Sequence, residues 1–504
     1  MKGAFCFIAS GLVAGLASAQ SSCFPSTVIS TPVSDTAGGQ GGVISALRNV
    51  WLAAAGTDRV AVIVGPGVSA HATVWVTTDG DPSAHRFLDR QFHEGVSISV
   101  KQSLVQSALF DWPLDAFQSG LTGFPSGVAY NKISSVLEPD SLLLAVNGAD
   151  VPDLDAKWQS LRHARVSDGG TPFWVGSMDA TLDGLDLTDS LVTGSAAEIN
   201  VVLSGGDVLP NGKTLTQLDP FIAFSLAPDG NSALAHVRTV TGEDTGSAVV
   251  LANVEPHDIS LIAEQGGQVG RLGPGWNWSR FGPISLTERA WNCGIPTWFV
   301  AGEATSRHGQ SWIIVRDGEI ILQEGQKFCE PSFYIRGPVF AIDSNSSGDL
   351  ASIWTRPNVD GVNGVQRTAP ILLVNDIPVL ACGAALPATP SHSFRRVAHL
   401  FPTVAISDRT ESGTTSIYVH ALIAYSQEAL LEGIGIPEVL RINVELGPDN
   451  YCVVDFNDDG VVNQHDLTLF VLAWIERAVD MNCDGTTDDS DLSEFLRLWQ
   501  AGSC

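Results

Sequence analysis

The sequence predicts a mainly β protein that ends in a small α-helical domain. Two observations lead to this division. From about residue 40 to residue 445, short runs rich in Val, Ile, Ala, Phe and Trp alternate with clusters of Gly, Asp, Asn and Pro, which is the strand-and-turn pattern of an all-β domain. After residue 460, two segments carry apolar residues at helical spacing, and each follows an acidic, glycine-centred loop.

The β region contains copies of one pattern: a strand, a polar turn holding Gly, Asp or Asn, and further strands. Clear copies include residues 220–240, 297–326 and 339–357. Residues 197–215 read as the last two strands of an earlier copy, and another copy opens near residue 49. A single such sheet leaves its edges and one face uncovered, so several copies must stack or close into a ring.

Copies of about 45–55 residues suit four-stranded propeller blades. Residues 20–445 therefore predict a β-propeller of about seven blades, with an array of β-sandwiches as the alternative. The segment FSLAPDGNSALA, with Ala227, Pro228, Asp229 and Gly230 at its turn, resembles the strand–turn–strand unit of TolB-type propeller blades. In that family Asp-Gly makes the tight turn between two blade strands, so the resemblance implies the same fold here.

Charge and the N-terminal segment indicate an exported protein. Residues 1–19 combine one lysine, a short apolar run and the small-residue site Ala17-Ser18-Ala19, which is the pattern of a secretory signal peptide. No later stretch is apolar over the ~18 residues that a membrane span needs. The formal charge of −28 argues against nucleic acid and anionic membranes as partners. We expect a secreted or surface-attached protein with no membrane span after signal removal.

Motifs of catalysis are absent from the β region. It holds no G-x-S-x-G elbow, no H-E-x-x-H pair and no P-loop. The scattered histidines His236, His257 and His308 are expected to be surface or hydrogen-bonded residues, and no catalytic residue is assigned. Trp276 and Trp278 suit either a sugar-stacking platform or, as we expect, the packing of a blade edge.

The C-terminal region contains two calcium-type loops of twelve residues. Calcium takes six to eight oxygen ligands, which such a loop supplies from positions 1, 3, 5, 7, 9 and 12, with glycine at position 6. Both loops carry suitable groups at all these positions, with Gly460 and Gly485 at the bends, and predict two calcium ions. The expected ligands are Asp455, Asn457, Asp459, the Val461 carbonyl, Asn463, Asp466, Asp480, Asn482, Asp484, the Thr486 carbonyl, Asp488 and Asp491.

Each loop precedes one helical segment, and no helix precedes the first loop. This duplicated loop–helix unit, with Asp at position 12, resembles a dockerin over Cys452 to Cys504. The resemblance implies a domain at residues 446–504 that binds a cohesin-like or other cell-surface protein. In cellulosomal dockerins, the residues at loop positions 10 and 11 recognise the cohesin partner, and they are often Ser-Thr or a similar small pair. Here those positions are Gln464-His465 and Asp489-Ser490, which departs from that pattern.

The resemblance also implies a disulfide. The ends of dockerin-like folds lie close together, so Cys452 and Cys504 are expected to pair, although Cys483 is an equally available partner on sequence grounds. A brief helix is predicted at residues 426–433, because SQEALLEG combines helical spacing with a glycine stop. A connector is predicted at residues 434–450.

The function expected from these features is an exported, non-catalytic surface or recognition protein. A calcium-dependent dockerin-like tail would attach it to an extracellular or cell-surface partner. The alternative is a dockerin-bearing, polysaccharide-degrading enzyme, either a glycoside hydrolase or a lyase, with its active site in the propeller. A polysaccharide is therefore a second expected partner.

Overall fold

The computed structural model describes strands between residues 31 and 132, residues 140–446 with short gaps, and residues 454, 462–475, 481 and 488–501. Side chains are described only from Leu144 onwards. These residues form seven antiparallel sheets of four or five strands, one two-stranded hairpin and three helices. No helix among them is long and apolar enough to cross a membrane. The predicted signal peptide, residues 1–19, lies outside the described residues.

The first strand along the chain, β1, is Thr31–Pro32. Sheet 1 comprises β2 to β5 (Asn49–Ala55, Arg59–Gly65, Ala72–Thr77, Ala84–Arg90). Sheet 2 comprises β6 to β9 (His93–Ile98, Ser103–Leu109, Ser126–Lys132, Asp140–Val146). Sheet 3 comprises β10 to β14 (Trp158–Val166, Pro172–Met178, Thr181–Leu182, Leu185–Gly194, Ile199–Gly205).

Sheet 4 comprises β15 to β19 (Thr214–Leu218, Phe224–Leu226, Ser232–Thr241, Asp244–Asn253, Asp258–Glu264). Sheet 5 comprises β20 to β23 (Asn277–Glu288, Pro296–Ser306, Gly309–Arg316, Glu319–Gln323). The hairpin of β24 and β25 (Lys327–Phe328, Phe333–Tyr334) follows. Sheet 6 comprises β26 to β29 (Arg336–Ser344, Leu350–Asn358, Arg367–Val374, Ile377–Ala381).

Sheet 7 combines both ends of the β region. Its strands are β30 to β32 (Arg396–Ile406, Thr414–Ala424, Ile436–Glu445) and β1, which pairs with β32 and places Thr31 opposite Arg441. The predicted connector at residues 434–450 is wrong over Ile436–Glu445. That segment is strand β32, and it buries Val439, Leu440, Ile442 and Val444 in the core.

Three helices complete the described structure. Helix α1 (Gln427–Glu432) begins after Ser426, whose side chain accepts a hydrogen bond from the Ala429 amide, and ends at Gly433 with φ of 70°. The predicted helix at residues 426–433 is confirmed, because Ser426 and Gly433 act as the caps that the sequence indicates. Helices α2 (Gln464–Ile475) and α3 (Asp489–Ala501) lie in the C-terminal region.

Contacts between strands of successive sheets form a closed cycle, and most of these contacts join first strands. β2 contacts β6, β6 contacts β10, β20 contacts β26, β26 contacts β30, and β30 contacts β2. Between sheets 3 and 5 the cycle passes through contacts of β13 with β15 and of β16 with β20. The first strand of each of these cyclically connected sheets lies at an edge of its sheet.

Apolar side chains fill the gaps between neighbouring sheets. One buried cluster joins sheets 6 and 7 through residues such as Ile353, Leu372, Val419 and Leu440. Similar clusters join sheets 5 and 6, sheets 4 and 5, and sheets 3 and 4. Sheets 4, 5 and 6 therefore bury both faces, which explains why their strands read as nearly continuous apolar runs.

Polar side chains at the sheet edges join neighbouring sheets to one another. The Ser225 hydroxyl of β16 accepts from the Leu286 amide of β20 at 3.0 Å. The Asp343 carboxylate of β26 accepts from the Ile406 amide of β30 at 2.9 Å. These amides would otherwise lack a partner inside the sheet edge, so each bond satisfies a backbone donor and links two sheets.

The repeats are partly out of phase with the predicted copies. Residues 297–326 hold the second to fourth strands of sheet 5, and the first strand is β20, which includes Trp278. Residues 197–215 include the last strand of sheet 3 and the start of sheet 4. β20 is difficult to recognise because Gly282 and Pro283 interrupt it in a bulge between Phe281 and Ile284.

Candidate functional site

Three aspartates lie where the first strands of sheets 3, 6 and 7 end. Asp168 follows β10 by two residues, Asp343 is next to last in β26, and Asp408 follows β30 by two residues. The charges of Asp408 and Asp343 both contribute to raising the pKa of Asp168, so the three carboxyl groups are coupled electrostatically. Together with Arg165 of β10 we call these residues the channel cluster.

Neighbouring residues hold two of these carboxylates in place. Oδ2 of Asp343 accepts from the Ile406 amide. Oδ1 of Asp408 accepts from the amide of Ser346 at 2.8 Å and from its hydroxyl at 2.6 Å. Each bond crosses between sheets 6 and 7, so the positions of both side chains depend on the packing of those two sheets.

Sheets 6 and 7 are also joined beside the cluster by a buried ion pair. Arg409 donates from Nε and Nη2 to the two oxygens of Asp349, at 2.7 and 2.6 Å. Burial alone would raise the pKa of Asp349, but the hydrogen bonds and charge of Arg409, with Asn375 and Asn345, lower it. This forked geometry anchors the turn that carries Asp408 to the sheet that carries Asp343.

Arg165, the fourth residue of the cluster, contacts an aromatic ring. Its guanidinium carbon is 5.8 Å from the centre of the Phe224 ring. The side chain retains solvent-exposed surface, yet burial lowers its pKa, while the charge of Asp343 raises it.

Two of the aspartates have strongly raised pKa values. Burial, then the charges of Asp408 and Asp343, raise the pKa of Asp168 to about 7. Burial raises the pKa of Asp343 to about 7 despite its hydrogen bond from Ile406 and the charge of Arg165. Near neutral pH the channel cluster therefore contains carboxyl groups that can either donate or accept a proton.

The C-terminal helices form a pair with approximate two-fold repetition. The Phe470 and Phe495 rings stack with centroids 3.9 Å apart. Trp474 of α2 donates from Nε1 to the carbonyl of Asp488, at position 9 of the second loop, at 2.7 Å. Trp499 of α3 donates to the carbonyl of Asn463, at position 9 of the first loop, at 3.2 Å. Each helix thus holds the loop that precedes the other helix.

Four of the twelve expected calcium ligands lie within the described residues, and equivalent ligands of the two loops have the same surroundings. Asp466 and Asp491, at position 12, are fully buried. Each accepts a hydrogen bond from the amide at position 9 of its own loop, Asn463 at 2.8 Å and Asp488 at 2.7 Å. The remaining eight are outside the described residues: Asp455, Asn457, Asp459, Val461, Asp480, Asn482, Asp484 and Thr486.

Other residues singled out in the sequence have structural positions. Trp278 is 3% exposed and packs against Phe281, so it belongs to the core between sheets 4 and 5. His236 is buried in β17 beside Phe281. His308 and the cysteines of the expected disulfide lie outside the described residues, and Cys382 has a free thiol.

No family model and no curated protein matches the chain. Among solved structures it is similar to TolB from Acinetobacter baumannii, with 11% identity over 58% of this chain and a TM-score of 0.27. The match spans 64% of the TolB chain, just under two thirds of its length. The β-propeller domain of the Trilobed protease from Pyrococcus furiosus matches with 6% identity, 79% and 96% coverage of the two chains, and a TM-score of 0.39. An oligogalacturonate lyase in complex with manganese matches with 10% identity, the same coverages, and a TM-score of 0.34.

The raised pKa of Asp168 predicts a pH-dependent effect of Asp168→Asn. In the unfolded chain this carboxyl group ionises near pH 4, whereas in the folded protein its pKa is about 7. Its contribution to stability is therefore lost as the pH rises between those values, since folding then opposes ionisation. We expect the variant to exceed the parent in Tm by a larger margin at pH 8 than at pH 5, as measured by calorimetry.

The matched control is Asp229→Asn, which changes an exposed aspartate at the equivalent turn of sheet 4. It should show the same Tm difference from the parent at both pH values. An equal effect of Asp168→Asn at pH 5 and pH 8 would contradict the raised pKa.

Proposed function

We propose that the seven sheets are the blades of a closed β-propeller. The cycle of strand contacts and the apolar packing between successive sheets support this arrangement over an array of β-sandwiches. In this arrangement β1 completes the blade that contains β32, so that the two ends of the β region close the ring. The channel cluster then lies at one mouth of the central channel.

We further propose that residues 446–504 form a calcium-binding, dockerin-like domain. The observation that carries this proposal is the reciprocal pair of tryptophan hydrogen bonds, from Trp474 to loop two and from Trp499 to loop one. A duplicated loop–helix unit explains why equivalent residues make equivalent bonds. The buried Asp466 and Asp491 suit the ion, because a fully buried carboxylate is stable only with compensating partners. Bound calcium would supply the charge that balances the acidic loops.

The function that these features support best is that of an exported, non-catalytic surface or recognition protein. The propeller presents its loops and channel, while the calcium-dependent tail attaches the protein to an extracellular or cell-surface partner, such as a cohesin-like protein. The exposed residues Gln464, His465, Asp489 and Ser490 occupy the positions that select the partner in cellulosomal dockerins. Because these pairs differ from the usual Ser-Thr type, the proposed partner differs from a cellulosomal cohesin.

Calcium should stabilise the tail of the full-length protein. A ligand present at 100 times its Kd adds about 2.7 kcal/mol per site to the free energy of unfolding. The unfolding temperature of the tail should therefore be higher in calcium and lower in chelator. Circular dichroism and calorimetry of the two samples measure this change. The double variant Asp466→Asn/Asp491→Asn should lose most of it.

The control is Asp489→Asn, which makes the same type of substitution once, at an exposed, non-liganding position of the second loop. It should retain the calcium response. If chelator leaves the helicity and melting of the tail unchanged, the calcium proposal fails.

The second candidate function is a polysaccharide-degrading enzyme, a glycoside hydrolase or lyase, with its active site in the channel. The pKa values of about 7 for Asp168 and Asp343 favour it, because acid–base catalysis near neutral pH needs carboxyl groups of this kind. A lyase or hydrolase would use one such group as the acid and another as the base.

A panel of insoluble polysaccharides distinguishes the two functions. Full-length protein is incubated with each polysaccharide, and both the retained protein and the released reducing ends are measured. The recognition function predicts retention without release above the blank. Release that disappears in Asp168→Asn or Asp343→Asn, but persists in Asp229→Asn, would establish the enzyme instead.

A further inference from the structure

Exposed large apolar side chains are concentrated in two short segments near the C-terminus. Among the described residues seven such side chains are exposed, and five of them lie in these segments. Leu431, Ile434 and Ile436 lie at the end of α1 and the start of β32, and we call them the α1 tip. Leu472 and Ile475 lie on α2. Clustered exposed apolar side chains mark contact surfaces.

The α1 tip stands on a rigid base. The hydroxyl of Tyr425, just before the cap of α1, donates to the carboxylate of Glu438 in β32. Arg395 donates to the same carboxylate at 2.8 Å, and both charged side chains are buried. Gly435 lies so close to the backbone of Ile423 that an added Cβ would come within 2.8 Å of it. A surface fixed in this way loses little conformational entropy when another element covers it.

The two helices of the tail differ on their outer faces. On α2 the outer face carries Leu472 and Ile475, about one turn apart and both exposed. In the register that aligns the two loops, the equivalent residues of α3 are Arg497 and Gln500, which are also exposed. A helix face that is turned to solvent normally carries polar residues, as α3 does. The apolar pair on α2, which we call the α2 stripe, therefore indicates that another surface covers this face.

The charges favour α2 as the element that covers the α1 tip. Helix α1 exposes Glu428 and Glu432 beside the tip. A second copy of the tip would place the same carboxylates opposite one another, because two-fold related copies present identical surfaces. Helix α3 would have to desolvate the ion pair of Arg497 with Glu494. By contrast, α2 has no charged residue after Asp466.

The chain between the two surfaces is long enough for them to meet. β32 runs from Ile436, in the tip, to Glu445, a length of about 30 Å at roughly 3.3 Å per residue. Val454 packs in the core of the tail, and the nine peptide units from Glu445 to Val454 span at most about 30 Å. The tail can therefore reach back along β32 to the tip. A short tether gives the tail an effective concentration on the order of millimolar, which favours it over a free partner.

We infer that the α2 stripe packs against the α1 tip, so that the tail docks onto sheet 7 of its own chain. This inference rests on the proposed duplicated tail domain and adds an internal interface to it. Docking covers the outer face of α2, which begins at the loop-one pair Gln464-His465. It leaves the polar face of α3 exposed, together with the loop-two pair Asp489-Ser490. The external partner then contacts the second of the two pairs.

Cross-linking of the full-length protein in calcium tests this contact. Ile434→Cys is combined with Leu472→Cys or with Ile475→Cys, a short bis-maleimide is added, and peptide mapping identifies the products. The matched control combines Ile434→Cys with Arg497→Cys, an equivalent position on α3. All four positions are exposed, so the substitutions should leave the fold intact, as circular dichroism checks. Because docked residues stay at high effective concentration, we expect at least about tenfold more cross-link within one chain for the α2 pairs than for the control.

Three outcomes of this experiment would overturn the inference. Equal yields for the α2 pairs and the α3 control would mean that the tail has no preferred face. No cross-link in either α2 pair would leave the tip to an external partner. A product found only between two molecules would assign the tip to a second copy of the chain.

X-ray scattering in calcium measures the docking independently. Leu431→Ser/Ile434→Ser should release the tail and increase the radius of gyration, because the variant removes the apolar surface on which the tail packs. Val208→Ser changes an exposed apolar residue of the β region outside both segments and should leave the radius unchanged. An unchanged radius in the double variant would contradict docking.

Circular dichroism of the same samples, with and without chelator, separates this inference from the calcium proposal. Calcium-dependent helicity without the cross-link refutes the docking and leaves the calcium-binding tail standing. A cross-link within one chain whose helicity does not respond to chelator supports the docking and refutes the calcium proposal.

Discussion

The structure depends on hydrogen bonds between side chains at the edge of one sheet and the backbone of the next sheet. The strand at an edge that packs against another sheet needs partners for its exposed amides. Ser225 supplies such a partner to Leu286, and Asp343 supplies one to Ile406. Ser285 and Ser344 join sheets 5 and 6 through their hydroxyls, at 2.8 Å. Polar residues at these strand positions therefore fix the distance between neighbouring sheets, while apolar side chains fill the gaps between the sheets.

The same arrangement produces the chemistry of the channel. Asp343 is needed as an acceptor for the Ile406 amide, and this places a carboxyl group at the centre of the ring, where burial raises its pKa to about 7. Asp168 and Asp408 reach the same space because their turns follow the equivalent strands of other sheets. A residue that fixes the ring thus also contributes to the candidate site, so structural and functional roles overlap there.

Local features could be predicted from the sequence. The strand-and-turn pattern, the Asp229–Gly230 turn and the helix capped by Ser426 and Gly433 all depend on neighbouring residues, and the structure has each of them. The turn needs glycine at position 230, where φ is 79°. The sequence predicts a connector over β32 because the glycine- and proline-containing stretch IGIPEV, which overlaps the start of the strand, has the composition of a loop.

The channel cluster could not be predicted, because its residues are distant in sequence and meet only when the ring closes. A weak signal exists nonetheless. Pro338 and Pro402 each lie in a bulge of a first strand, and an aspartate follows five or six residues later at the strand end. Proline is tolerated there because a bulge leaves its position outside the hydrogen-bond ladder. By contrast, the sequence around Arg165 and Asp168 contains no comparable local pattern that would indicate their place in the cluster.

Closure of the ring by the N-terminal strand is the central claim, and a cross-link tests it most directly. Thr31 lies opposite Arg441, and opposed residues of antiparallel strands have Cα atoms roughly 4.5–5.5 Å apart, within the range that a disulfide spans. The account predicts that Thr31→Cys/Arg441→Cys forms this disulfide under mild oxidation, as identified by peptide mapping. The pair Thr31→Cys/Glu445→Cys, displaced by about 14 Å along the strand, should not. Equal cross-linking of the two pairs, or none in either, would contradict closure through β1.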